Sequence, residues 1–198
     1  STYKLLCDHQ LFDQLVPQVA HLIKDGSNNA AKLIEQAFIN TDIRISSNKR
    51  VTPAFIYAAL LWPAVEKLAA YYTDRGSSPT YALSKAAGEV IAKQISVTAI
   101  PRRFTMPMRE IWDLQLQLPR RGGHRAKRLS ENPRFRAAYD FILLREQAGE
   151  DLAGLGDWWT QYQEADEEQK LKMSELISNT GNRRRRSRRP RHKKDSKD

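Results

Sequence analysis

Apolar residues recur at helical rather than strand spacing along most of the chain. In YKLLCDHQLFDQLVPQVAHLIKDG, Leu11, Leu15, Val19 and Leu22 follow a helical period, and the segment stops at Gly26. Pro17 has no amide hydrogen to donate, so a bend or break is expected there. A second helix is predicted over 30–45, with Leu33, Ile34, Ala37 and Phe38 on one face. Thr52-Pro53 supplies a capping hydroxyl followed by proline at the first helical position. It launches AFIYAALLWPAVEKLAAYY, with a kink expected near Pro63. Ser78-Pro79 repeats the signal for a helix ending near Ile95, and Pro107 is expected to open one carrying Met108, Ile111 and Trp112. Asn132-Pro133 starts RFRAAYDFILLREQ, where Phe135, Ala138, Tyr139 and Ile142 form a single stripe. A short aromatic helix around Trp158, Trp159 and Tyr162 closes the folded part.

No segment sustains strand alternation, no hairpin signal joins two β-rich runs, and no repeat of fixed period is present. The expected fold class is all-α, an irregular helical body of short and medium helices. Residues 164–182 read as a polar linker with a weak helix at Leu171–Ile177. Residues 183–198, RRRRSRRPRHKKDSKD, contain no apolar side chain and are expected to be a disordered basic tail.

Composition narrows the class. The 198 residues, 40% apolar, suffice for a buried core, and no apolar run approaches the ~20 residues that span a bilayer. No basic start followed by a short apolar stretch suggests a signal peptide. The single cysteine, Cys7, forbids an internal disulfide and suits a reducing compartment, so a cytoplasmic location is expected. The chain lacks an initiator Met and opens in what reads as helix interior.

The formal charge of +10 is unevenly spread. Residues 1–101 are nearly neutral at +2, and residues 102–136 carry 10 Lys/Arg against 3 Asp/Glu, or +7. Residues 137–182 carry −7 and residues 183–198 carry +8. Such polarity concentrates a polyanion at one place on the surface.

Catalytic constellations are missing. His9, His21, His124, His192 and Cys7 offer no convincing metal-ligand spacing. Cys7 and His9 lie two apart on a helix and point away from each other, so a buried thiol beside an exposed imidazole is expected. No phosphate-cradling loop or nucleophile elbow is present. The carboxylates Glu164, Asp166, Glu167 and Glu168 read as a solvated face. No catalytic or metal-binding residue is predicted.

What remains is basic chemistry. Arg102 and Arg103 precede the Pro107 helix, which carries Arg109. Arg120, Arg121, His124, Arg125, Lys127 and Arg128 follow within PRRGGHRAKRL, then Arg134 and Arg136 at the next helix start. With 124–130 helical, Arg121, Arg125 and Arg128 would share a face while Ala126 and Leu129 point inward. Cations at a helix start oppose the macrodipole, so bound anions would explain Arg134 and Arg136. Gly122-Gly123 would let backbone N–H groups approach a phosphate. The alternative, a merely soluble basic face, would normally interleave acids, and only Glu110, Asp113 and Glu131 are at hand. Nucleic-acid contact is therefore expected through this zone. The tail arginines Arg183, Arg184, Arg185, Arg186, Arg188, Arg189 and Arg191 would add sequence-independent affinity. Trp112, Tyr139, Trp158 and Trp159 are either core or stacking platforms for bases.

Several segments recur in order in a known family: LLC at 5–7, NTDIR at 40–44, RVTPAFIYAALLW at 50–62, IPRRFT at 100–105, IWDLQ at 111–115, NPRFRAAYDFILLR at 132–145 and Trp158-Trp159. With the Arg-rich end, they closely resemble the C-terminal portion of the bacterial poly(A) polymerase I family, related to the CCA-adding tRNA nucleotidyltransferases. The resemblance implies the end of a helical neck and the start of the body at 1–48, the RNA-binding body at 49–163, and the linker and tail above. It implies a role in polyadenylation, with the body holding an RNA 3′ end while a separate N-terminal catalytic head transfers AMP from ATP with magnesium. The family's head motif is missing: Gly26-Ser27 and Gly76-Ser77 are the only Gly-Ser pairs, and neither precedes an Asp-x-Asp on a strand. No family catalytic residue therefore carries over, and this chain is expected to bind no cofactor and to be inactive alone. Other RNA-decay proteins are compatible partners. Two rival readings are a free-standing helical RNA-binding or chaperone protein, and a scaffold whose basic face docks an acidic protein.

Overall fold

The computed structural model describes residues 2–187, with side chains described through residue 178. The described residues form eleven helices and no strand. These are α1 (Thr2–Asp8), α2 (Leu11–Leu15), α3 (Pro17–Lys24), α4 (Asn28–Ser46), α5 (Pro53–Asp74), α6 (Pro79–Ile95), α7 (Arg102–Gln117), α8 (His124–Ser130), α9 (Phe135–Gln147), α10 (Leu155–Glu164) and α11 (Glu167–Ser187). No described helix is long and apolar enough to cross a membrane.

Proline and short polar residues place most of the boundaries. Pro17 separates α2 from α3, and Pro53 and Pro79 open α5 and α6. The Ser78 hydroxyl accepts the Tyr81 amide, whereas Thr52 caps without a side-chain bond. Two predicted starts move. α7 begins at Arg102, five residues before Pro107, which is carried inside it. As the sixth residue of α7, Pro107 has no amide hydrogen for the Arg103 carbonyl, so the helix forgoes one bond there. α9 begins at Phe135, because Asn132 Oδ1 accepts the Arg134 amide at 2.8 Å and holds a turn there first. The expected weak helix at Leu171–Ile177 is part of the much longer α11, which reaches five residues into the arginine run.

Two apolar clusters result. The larger gathers Val19, Ile34, Ala58, Leu61, Val65, Val90, Ile111 and Trp112 around α5, which packs on α3, α4, α6 and α7. The smaller gathers Leu118, Ala126, Leu129, Phe135, Ile142 and Trp159 from α7 to α10. Two helices belong to both. α7 gives Met108, Ile111 and Trp112 to the larger cluster and Leu114 to the smaller. α9 gives Phe141 and Leu144 to one and Phe135, Ala138, Tyr139 and Ile142 to the other. The stripe predicted on α9 is therefore half of its buried surface. Cys7, expected to be buried, is exposed, because α1 turns Tyr3 and Leu6 toward the core instead.

Candidate nucleic-acid interface

Local packing decides which cations of the basic zone face water. α8 buries Ala126 at 0% and Leu129 at 6% exposure in the smaller cluster, which leaves Arg125, Lys127 and Arg128 on the outer side, as the spacing predicts. Arg121 does not extend that face. Gly123, at φ +59° and ψ −143°, breaks the helical path between them, and Arg121 turns back onto the protein. Its guanidinium lies 4.9 Å from the centre of the half-buried Trp158 ring, Nη1 donates to the Pro119 carbonyl at 3.3 Å, and buried Nε has no partner. Burial lowers its pKa from the ordinary value.

Acidic partners divide the rest. Arg134 Nε donates to Glu110 Oε2 at 2.6 Å, and Arg136 Nε lies 3.0 Å from Asp140 Oδ1 one turn on. Lys127 Nζ is 3.9 Å from Glu167. Bound anions are thus not needed to explain Arg134 and Arg136: Glu110, across on α7, and Asp140 compensate them. Arg120, Arg125 and Arg128, all exposed, form no ion pair with any described residue. His124 is exposed beside them.

The remaining cations stand apart. Arg102 and Arg103 lie at the start of α7, about 22 Å of helix from its end, with the Arg103 guanidinium over Phe104 at 4.9 Å. That exceeds a Debye length of about 8 Å at physiological salt, so their field adds little at the far end of α7. Arg109 is half-buried against α6, with Nη2 3.5 Å from where a Cβ on Gly88 would sit. The backbone of Arg183, Arg184, Arg185 and Arg186 lies in the last turns of α11; Arg188, Arg189 and Arg191 lie outside the described residues.

Two further expectations are corrected. The Gly122-Gly123 amides are not a free phosphate cradle: Gly123 N–H donates to the Ser174 carbonyl of α11 at 3.0 Å, and Gly122 packs on Ser178. Three of the four candidate stacking rings are core. Trp112 and Trp159 are fully buried and donate to the carbonyls of Ala58 and Leu118, and Tyr139 is 5% exposed with its hydroxyl 2.6 Å from Thr160 Oγ1. Trp158 remains half-buried, stacked on Tyr162 at 5.0 Å. The acids Glu164, Asp166, Glu167 and Glu168 are exposed, as read from sequence. Among the described residues, no three His, Cys, Asp or Glu side chains stand together in a way that could hold a metal ion.

Arg145 is the polar residue that the sequence did not single out. It is 9% exposed, with Nε donating to Glu150 Oε2 at 2.8 Å and Nη2 pairing with the other carboxylate oxygen. Nη1 donates to Gln115 Oε1 at 3.1 Å, Glu66 lies 3.6 Å away, and the guanidinium sits over Trp62. The polar group completes the α9 surface facing α5 and α7. Its only local signal is Glu150 five residues on.

Comparison with known proteins agrees with this picture of a helical unit ending in arginines. A family model described as "Polymerase A arginine-rich C-terminus" matches residues 75–193. Poly(A) polymerase I of Escherichia coli O157:H7 is 40% identical over 195 residues, covering 96% of this chain and 42% of that protein. The Salmonella typhi enzyme of the same name is 38% identical over 192 residues, 94% of this chain and 41% of its own length, and that of Haemophilus influenzae is 37% identical over 172 residues, 85% and 38%. The chain thus spans about two fifths of the length of the curated relatives it matches. With the model matching more than half of its residues, the chain belongs to the polymerase A arginine-rich C-terminus family.

Proposed function

We propose that this chain is the RNA-holding C-terminal part of a cytoplasmic polynucleotide adenylyltransferase that adds AMP from ATP to RNA 3′ ends. The observation that carries the reading is α8: its inner face is buried, while Arg125 and Arg128 stand exposed and unpaired beside Arg120. Arginines without acidic partners on a rigid support suit phosphate contact, because the guanidinium fork matches phosphate oxygens and gives up no existing ion pair. Contacts of this kind position a strand without reading its bases, as a polymerase acting on many RNA ends requires.

Among the described residues no three His, Cys, Asp or Glu side chains stand together to hold a metal ion, and no step of the transfer is assigned to this chain. The chemistry belongs to the catalytic part that the longer relatives would supply, and this chain's share is to bind and orient the primer. AMP transfer by this chain alone, with ATP and magnesium, is therefore not expected. The test is binding of a single-stranded RNA by filter retention, with Arg125→Glu/Arg128→Glu as the variant. We expect at least a tenfold loss of affinity with helicity unchanged by circular dichroism. Full affinity in the variant would sink the reading of α8 as the contact surface. Binding of an acidic protein with no salt-dependent RNA binding would favour a protein-docking role instead.

A further inference from the structure

We infer that the Gly122-Gly123 turn is a seat for α11, which sets where the arginine run begins so that the run and α8 act on one RNA strand. This rests on the RNA-holding reading above. The contact is close. A Cβ placed on Gly122 would meet Ser178 Oγ at 2.8 Å, its backbone N at 3.3 Å and its Cα at 3.4 Å. Gly123 N–H donates to the Ser174 carbonyl at 3.0 Å, and the φ of +59° that aims it there is one that side-chain-bearing residues rarely adopt. Ser174 is 3% exposed, and Met173 packs against the smaller cluster. At the other end of α11, Lys127 of α8 stands 3.9 Å from Glu167.

These attachments, from Glu167 to Ser178, span about 16 Å of helix axis, enough to fix a direction. Arg183 follows Ser178 by five residues, about 7.5 Å further along the same helix, which continues through Ser187. The run therefore starts within about one Debye length of the seat. The backbone of Arg183–Arg186 is thereby brought near the Gly122-Gly123 turn that precedes α8, although 47 residues separate Arg136 from Arg183 in sequence. Between them lies a −7 stretch whose Glu167 bridges to Lys127 rather than separating the two. Gly122 is on this account a positioning residue for the run, touching no RNA itself.

The experiment has two arms. Without RNA, spin labels at Arg125→Cys and Arg184→Cys in a Cys7→Ser background should give one narrow distance in the parent chain. Adding Gly122→Val should broaden it, and a broad distribution in the parent would overturn the seat. With RNA, affinity is measured in a cycle of Gly122→Val against a tail in which all seven arginines from Arg183 to Arg191 become Gln. Gly122→Val should weaken binding about fivefold with the native tail and less than twofold with the neutral tail. Equal loss in both, or none in either, would overturn the shared strand. Ser178→Leu repeats the clash from the α11 side and should reproduce the result where Gly122→Val unfolds the chain. A parent chain that binds no RNA would overturn the RNA-holding reading and the shared strand together, while the distance arm would still decide the seat.

Discussion

Arg145 at the end of α9 and Arg125 and Arg128 on α8 carry the same guanidinium in two different settings. Arg145 is withdrawn from water onto two carboxylates, an amide oxygen and an indole face. The α8 pair stands in solvent, with the helix beneath it anchored by Ala126 and Leu129 and no ion pair to any described residue. Desolvation is the dividing term. A buried cation is tolerable only with hydrogen bonds and counter-charges of its own, and those already engaging Arg145 would have to be broken for it to bind a phosphate. An exposed cation on a rigid base keeps its hydration shell and can exchange it for phosphate.

The largest test of this contrast is stability. Arg145→Leu strands Glu150 and Gln115 and should cost about 3 kcal/mol, read from urea denaturation, with RNA affinity of the folded chain unchanged. A cost under about 1 kcal/mol would mean that the network is a surface pair in all but geometry. Next, Arg125→Glu/Arg128→Glu should reverse the pattern: at least a tenfold weaker RNA complex, with unfolding free energy shifted by no more than about 0.5 kcal/mol. Comparable stability losses in the two variants would erase the distinction.

A finer measurement is the salt slope. Each phosphate contact on single-stranded RNA contributes about −0.7 to the slope of log affinity against log salt. Arg125→Ala/Arg128→Ala should therefore flatten the slope by about 1.4, whereas Arg145→Leu should leave it alone. The smallest expected effect concerns Glu66. Burial pushes its carboxyl above the ordinary carboxylate value, Glu150 adds to this, and Arg145 partly opposes it. The folded chain then holds the Glu66 proton to higher pH than the unfolded chain, so this group costs stability as pH rises through that interval. Glu66→Gln should match the parent at low pH and equal or slightly exceed it at pH 7. The gain should stay under about 1 kcal/mol, because the side chain is 52% exposed. A clear loss at pH 7 would show that the 3.6 Å approach to Arg145 outweighs burial.

Much of the helical layout was legible because capping and proline chemistry act over a few residues: Pro17, Pro53 and Ser78-Pro79 all mark true boundaries. Pro107 misled because a helix can forgo one amide bond when burial supports it, and α7 buries Met108, Ile111 and Trp112 just after the proline. The α8 face was likewise readable from Ala126 and Leu129. The pairing of Arg134 with Glu110 was not, since it joins two helices 24 residues apart in sequence.

By itself the sequence determined an all-helical chain, the outer face of α8, the polarised charge and the family resemblance, since each rests on local periodicity, composition or residue order. Tertiary structure decided which arginines are neutralised, which tryptophans are core, and that the Gly-Gly turn holds α11 rather than a phosphate. Those outcomes depend on which distant groups are desolvated together, and only the packed fold settles that.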